Sequence, residues 1–365
     1  MKALTIGSAM IDTIAIIESS RIERMTMLNA ETSFLLLAEG HKTEALEIST
    51  HTGGGAVNTA VAMARLGVDV ATLAKLGRDQ RAETILAGLM QEGVSTRWIG
   101  RDDRAATGAA VMISSHERNA AIFTFRGANT LLEDGDLKPD AFAVDLVHVS
   151  SLSNQSADRL PRILAEAKRT GAFLSVNPGI RQLSSRGGAL QDALADIDLL
   201  VVNKIEASAL VPIIAGRIGE GGPPLGPDSE EPPSALARQG LTGGGYQLGL
   251  RAFFTALRDA GARYVLVTDG AAGSFLADRA HIRFCPAAPP AVVAGTAGAG
   301  DAYAATLATF LAEGRAPEDA MRAAALNAAS VVGFIDTQRG LLGRAALNAA
   351  LAATGSRLAI SKWPI

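Results

Sequence analysis

Cysteine is almost absent from this chain: Cys285 stands alone among 365 residues. That excludes a disulfide framework and any zinc site built on several thiolates. It fits a reducing compartment, so a cytoplasmic location is expected. Aromatic residues are scarce at 4%, while apolar residues reach 48%, so a large core has to be assembled from Ala, Leu, Val and Ile. Charge of one sign is not in excess: 34 Lys+Arg stand against 37 Asp+Glu, with no basic block. A nucleic-acid partner is therefore not expected. Long apolar runs are missing too. No uninterrupted stretch of about 18 apolar residues occurs, so no membrane span is expected. The opening residues, MKALTIGSAMIDTIAIIE, are broken by Gly7 and Asp12 and read as a strand rather than a secretory leader. The Walker A pattern G-x-x-x-x-G-K-[ST] does not occur, which excludes a P-loop kinase.

What the chain does contain is a rhythm. Short apolar runs (2–7, 69–77, 145–151, 172–177, 198–203, 264–270) alternate with segments of helical spacing (59–67, 82–93, 157–171, 189–196, 204–210, 302–314). Strand–helix alternation implies parallel strands, right-handed crossovers and helices on both faces, an α/β fold. Its length suits one large domain with embellishments, or two smaller domains. Two regions break the rhythm. Residues 13–50 lack crossover helices, and 107–127 alternate like a hairpin turning near Ser115–Arg118. Together they predict a small separate β-sheet, a lid. Residues 216–249 are rich in Gly, Pro, Ser and acid and are expected to form a mobile surface insertion.

In an open parallel sheet, ligands bind beyond the carboxyl ends of the strands. Asp12, the TGGGAVNTA segment (52–60), Asn177, Asn203 and Thr268-Asp269-Gly270 all fall at such ends. The segment TAGAGD (296–301) precedes an Ala-rich helix. One reading is a tight turn and a helix cap. The other is a cradle: glycines admit a close ligand, and N–H groups at a helix N-terminus hold phosphate without Lys or Arg. Asp301, in the first turn, would then take the proton from an attacking hydroxyl. Phosphoryl transfer is mostly positioning and charge stabilisation, so a weak base suffices.

These residues resemble the ribokinase-like (PfkB-type) carbohydrate kinases. Gly53, Gly54, Ala56, Asn58, Ala60, Gly67 and Gly77 match the spacing of one family signature. Gly295-Thr296-Ala297-Gly298-Ala299-Gly300-Asp301 matches the second. TG (107–108), RGAN (126–129), NP (177–178), NKIE (203–206) and VTDGAAG (267–273) lie between them in the family's order. The resemblance covers essentially the whole chain outside 216–249. It implies a three-layer α/β/α sandwich with a mostly parallel sheet and a β-sheet lid that often forms a homodimer interface. It implies transfer of phosphate from ATP, with Mg²⁺, to a hydroxymethyl group of a sugar or nucleoside. Asp301 resembles the catalytic base, and Gly298, Ala299 and Gly300 the turn whose amides form the anion hole. Asp12, Gly54, Gly55 and Asn58 correspond to the polyol-binding set. Asn203 and Glu206 match the N-x-x-E motif that organises Mg²⁺, Glu206 acting through water. Thr268, Gly270 and Gly273 match the nucleotide loop, and Asn327 falls where the family shapes the adenine pocket.

Three departures stand out. Gly295 replaces an Asp that in many members helps hold a monovalent cation, so potassium activation is not carried over. Thr306 replaces a small glycine, read as a packing change. Ser150 or Ser151 stands where ribose-specific members often carry Glu. Among residues outside the motifs, Phe123 and Phe125 are read either as stacking on a ligand or as core. His148 is read as buried structure, His51 as a residue within reach of substrate. His41, His116 and His281 are read as surface residues, and Arg126 as a substrate contact or a surface ion pair. Two other functions compete. A Rossmann oxidoreductase lacks its third glycine and its acidic-ended strand here. A non-catalytic sugar sensor would have no need of Asp301, Asn203 and Glu206.

Overall fold

The computed structural model describes residues 1–18, 23–26, 33–36, 40, 42–115, 120–226 and 232–365. The readings of His41 and His116, and residues 116–118 of the turn expected near Ser115–Arg118, lie outside them. In chain order the principal strands begin with β1 (Lys2–Ile6), β2 (Met10–Ile17), β3 (Ala45–Gly53) and β4 (Asp69–Leu73). β5 (Gly108–Ser115), β6 (Ala120–Phe125), β7 (Leu146–Val149), β8 (Phe173–Val176) and β9 (Leu199–Asn203) follow. β10 (Tyr264–Thr268), β11 (Ser274–Ala277), β12 (His281–Cys285) and β13 (Ser361–Pro364) complete the set. The helices are α1 (Gly55–Arg65), α2 (Gln80–Gln91), α3 (Leu160–Thr170), α4 (Ile180–Asp192) and α5 (Lys204–Ile218). After them come α6 (Ala235–Gln239), α7 (Leu250–Asp259), α8 (Ala299–Ala312), α9 (Pro317–Val332) and α10 (Arg344–Thr354).

Nine strands make the main sheet in the order β13-β12-β11-β10-β9-β8-β7-β1-β4. From β4 through β10 the pairing is parallel, and β11, β12 and β13 run antiparallel at one edge. Parallel strands are covered on both faces, and alternate side chains feed two cores. Leu4, Ile6, Leu200 and Val202 pack with Ile163, Leu183, Leu210 and Phe253 of α3, α4, α5 and α7. Ala3, Leu199, Val201 and Leu266 pack with Val57, Ile85, Leu307, Met321 and Leu347 of α1, α2, α8, α9 and α10. The three-layer α/β/α sandwich is thus as expected. Helix α8 lies at the centre of the second layer, with Ala302 through Leu311 all buried. An Ala-rich helix suits this place because its small side chains admit neighbours on every side.

Strands β6-β5-β2-β3 form a separate four-stranded sheet, the lid. It joins the main sheet at Gly7–Ala9. There the Asn129 amide clamps Ala9, accepting from its N–H at 2.9 Å and donating to its carbonyl at 3.0 Å. The 216–249 segment contains ordered elements. Its described residues form α6 and a short hairpin, Leu241–Gly243 with Tyr246–Leu248. Leu225, Leu236, Leu241 and Leu248 are each 1% exposed or less. These leucines, spaced among the glycines and prolines, anchor the segment to the core. Residues 227–231 lie outside the described part.

Candidate active site

The carboxyl ends of β1, β7, β9 and β10 and the N-termini of α1 and α8 converge at the mouth of the lid. Ser8, just past β1, accepts from the Gly55 N–H through its hydroxyl and from the Ala56 N–H through its carbonyl, both at 3.1 Å. Gly54 has φ +97, and a Cβ there would sit 2.5 Å from the Ser8 carbonyl oxygen. Only glycine lets α1 begin this close to β1. One turn on, Asn58 projects into the site.

Across from it, Gly298 starts α8 with φ +80, and a Cβ there would lie 2.7 Å from Thr337 Cβ. Asp301 follows in the first turn. Asn58 Nδ2 donates to Asp301 Oδ2 at 2.8 Å, linking residues 243 apart in sequence. The Asn58 carbonyl oxygen is held in turn by Thr337 Oγ1 at 2.9 Å and Gln338 Nε2 at 3.1 Å. The amide orientation is thereby fixed with its N–H toward the carboxylate. Gln338 Nε2 also reaches the Thr52 carbonyl at 2.9 Å, tying the network to the lid strand β3.

Burial pushes the Asp301 carboxyl up to about 6, against the Asn58 hydrogen bond, which pulls it down. Asp12, on β2, is likewise pushed up to about 6 by burial, with the charge of Asp301 adding to the shift. Two carboxylates therefore share one field, which disfavours ionising both. Asp12 accepts no hydrogen bond from the described residues and lies over Gly53, where a Cβ would be 2.0 Å from Asp12 Oδ2. At the α8 N-terminus the amides of Gly300 and Asp301 donate to no described acceptor, whereas the Ala299 N–H makes a long 3.4 Å bond to Thr296. A Cβ on Gly300 would meet nothing within 4 Å.

Asn203 and Glu206 form a reciprocal cap at the start of α5. Asn203 Oδ1 accepts from the Glu206 N–H, and Glu206 Oε2 from the Asn203 N–H, both at 2.9 Å. Burial raises the Glu206 pKa, and Asp301 raises it further. Asn203 is paired in register with Thr268 on β10. Beyond it, Gly270 and Gly273 have φ +54 and +105. A Cβ on Gly273 would strike the Cys285 carbonyl at 2.4 Å, whereas one on Gly270 would meet open space.

Asn327 lies on α9. It is fully buried. Its amide donates to Thr306 Oγ1 at 2.8 Å and accepts from the Leu342 N–H at 2.9 Å. These bonds tie α9 to α8 and to the segment that follows α9. Thr306 is its partner, which explains the hydroxyl at that position. Phe123 and Phe125 are neither core nor aligned with Asp12. They are 60% and 53% exposed, and strand alternation places them on the face opposite Asp12. His148 is fully buried against Ser175 Oγ at 3.0 Å, with its pKa pushed down to about 4 by burial. His51 is held by Ser49 Oγ at 2.9 Å, on the Asp12 face of the lid.

Ser8, Thr337 and Gln338 were not singled out by sequence reasoning, and Asn129 entered only as the last residue of RGAN. The signal for Thr337 and Gln338 is faint: a polar turn, DTQR, directly after a helix. Asp336 caps that turn by accepting from the Gln338 and Arg339 N–H groups at 2.9 and 2.7 Å. Among the described residues no group of three or more His, Cys, Asp or Glu could hold a metal ion on its own. Nor is any of their helices long and apolar enough to cross a membrane. The donor set near Asp301 nonetheless fits a hard cation that keeps waters and shares phosphate oxygens. Glu206 supplies one carboxylate, whose pKa burial and the charge of Asp301 both raise.

Comparison with known proteins agrees with this arrangement. The model of the pfkB family of carbohydrate kinases matches residues 2–213 and 249–342. A fructokinase from Klebsiella pneumoniae is 30% identical over 277 residues, 73% of this chain and 79% of that protein. A bifunctional ribokinase/ribose-5-phosphate isomerase A from Fructilactobacillus sanfranciscensis is 26% identical over 73% of this chain, and the match spans 44% of its length. The structure of Arabidopsis thaliana ribokinase complexed with ribose and ATP superposes with a TM-score of 0.69 at 21% identity, covering 96% of this chain and 98% of that one. The family match runs through both glycine-rich turns and every strand of the site, and leaves out most of the 216–249 segment. This chain belongs to the pfkB family of carbohydrate kinases.

Proposed function

We propose that the protein transfers the γ-phosphoryl group of ATP to a hydroxymethyl group of a sugar or sugar-like acceptor. The observation that carries this reading is the Asn58–Asp301 pair at the start of α8. A buried carboxylate is held by one N–H beside two unengaged backbone amides. Asp301 takes the proton of the acceptor hydroxyl as its oxygen attacks phosphorus. The amides of Gly300 and Asp301, at the positive end of α8, hold the oxygens of the transferring group. Asp12 and Asn58 orient the acceptor through adjacent hydroxyls. Mg²⁺, when bound, neutralises phosphate charge, and Glu206 would hold it through water. The nucleotide lies along Asn203, Thr268, Gly270 and Gly273. The ATP in the related Arabidopsis ribokinase supports that donor.

The same reading covers the lid. Ile48, Val111, Phe123 and Phe125 are 43–68% exposed and share the face opposite Asp12. An apolar surface of this kind marks a contact, and a second copy of this lid is its occupant here. Sedimentation at low protein concentration should give a dimer, and Phe123→Asp a monomer.

Turnover is tested by ADP release with Mg·ATP across pentoses, hexoses, sugar acids and nucleosides. Asp301→Asn should retain ATP binding and lose at least a hundredfold in kcat, the scale of general base catalysis. Equal turnover by the variant would remove Asp301 from the mechanism. ATP binding without ADP release across the panel would favour a sensor.

A further inference from the structure

Beside the Asp301 site lies a cavity of about 240 Å³, lined in part by Arg126, Ser151, Ser153, Gly179, Arg181 and Glu206. Two of its cations have no counterion among the described residues. Arg126 is half-buried and donates from Nη1 only to Ser153 Oγ, at 2.8 Å. Arg181 makes no side-chain hydrogen bond or ion pair with the described residues. Arg65, Arg104, Arg283 and Arg344, by comparison, each hold a carboxylate within 3 Å. Arg186, lining the same cavity, holds Asp158. Burial and the nearby charge of Arg181 both lower the Arg126 pKa, so the two cations repel each other across the space. A segment under backbone strain borders them. Asn154 has φ +47, the one positive φ outside glycine among the described residues, and it turns the 151–154 stretch along the cavity wall.

We propose that the acceptor carries a negatively charged group, a carboxylate or a phosphate monoester, and that Arg126 and Arg181 bind it. This deepens the kinase reading and rests on it. The arginine fork matches either anion. Sheet order separates this anion from the nucleotide. The cavity is built on the loops after β7 and β8, whereas the nucleotide loop follows β10 on the far side of β9. Glu206 stands between them. At the end of β7 there is no carboxylate to repel an anion. Ser150 donates instead to the Ile6 carbonyl at 3.2 Å. The acceptor site therefore has two poles, carboxylates at the reacting hydroxyl and guanidinium groups at the other end.

The test is steady-state ADP release with Mg·ATP on aldoses, the corresponding aldonic acids and sugar phosphates, by wild type, Arg126→Lys and Arg181→Ala. Arg181 is exposed, so its removal does not threaten the fold. Wild type should favour an acidic or phosphorylated acceptor over the neutral sugar. Arg181→Ala should lower kcat/KM for the anion roughly 10- to 100-fold, the scale of a lost charge-assisted hydrogen bond, chiefly through KM. The preferred anion tells a carboxylate from a phosphate. Turnover of neutral sugars with no discrimination lost in either variant would overturn the inference and leave the kinase reading intact. A raised KM for ATP in place of the acceptor effect would also overturn it, by assigning the arginines to the nucleotide. If nothing is turned over, the kinase reading fails, and calorimetric binding of the aldonic acid and sugar phosphate decides the inference alone. Binding lost in Arg181→Ala would support it, and no binding would end it.

Discussion

Replacing Asn58 by alanine removes the one side-chain N–H that the structure directs at Asp301, a bond of 2.8 Å. A hydrogen bond to a charged group contributes roughly 1.5–3 kcal/mol, and each 1.36 kcal/mol is one pKa unit. The Asp301 carboxyl, already pushed up to about 6, should therefore rise by a further ~1–2 units. A base works only when ionised, so activity is lost below its pKa. At pH 7 the ionised fraction should fall from about 90% to roughly 10–50%. Alanine also releases Thr337 and Gln338, which costs rate at every pH. The informative readout is thus the position of the acid limb in a pH profile of kcat/KM, measured by coupled ADP release, and not the rate at one pH. The limb should move from near 6 to between about 7 and 8, with part of the lost activity recovered at pH 9. An acid limb that stays in place, with an equal loss at pH 7 and 9, would refute the claim that Asn58 tunes this carboxylate.

Other perturbations have equally definite outcomes. Asp301 and Asp12 have folded-state pKa values raised from 3.8 to about 6. The folded protein then binds more protons than the unfolded chain between those values, so each ionised carboxylate opposes folding at neutral pH. Asp301→Asn should stabilise the protein by about 1–3 kcal/mol at pH 7 in urea titration, and the gain should shrink as pH falls from 6 toward 4. A flat difference across that window would contradict the assigned shift. Gly298→Ala forces a Cβ to within 2.7 Å of Thr337 Cβ at φ +80. It should cost ~2 kcal/mol by thermal unfolding and abolish turnover by moving the α8 amides. Asp136 chelates the buried Lys75 with both oxygens, at 2.7 and 2.8 Å. Asp136→Ala should cost about 3 kcal/mol, without shifting the acid limb of the pH profile.

Much of this site was legible because its chemistry is local. Asn203 and Glu206 satisfy each other's backbone three residues apart, so an N-x-x-E spacing carries its own geometry. Gly54 and Gly298 were legible for a related reason. A helix that starts against another backbone needs positive φ and no Cβ, and glycine is the residue that supplies both. Sequence reading reaches its limit where burial has to be known. Asn327 belongs to a helix of small residues, and no pattern in that helix tells whether its amide faces a ligand or a neighbouring hydroxyl. The 216–249 segment has the composition of a loose loop, yet four leucines among its glycines and prolines hold its described residues to the core. Composition averages over exactly the few residues that packing selects.

The sequence by itself determined the alternation of strands and helices, the glycine turns at the starts of α1 and α8, and the presence of a carboxylate in the first turn of α8. Each depends on contacts within a few residues, where spacing and side-chain type are enough. Tertiary structure decided the rest. It brought Asn58 to Asp301 across 243 residues and fixed that amide through Thr337 and Gln338. It set Asp12 and Asp301 in one dehydrated space and raised both pKa values. It placed Arg126, from the end of a lid strand, in one cavity with Arg181, from the first turn of a crossover helix. The physical reason is common to all three. Desolvation, charge coupling and hydrogen-bond partnership depend on distance through space, and the register of the parallel sheet, not the order of the chain, sets that distance.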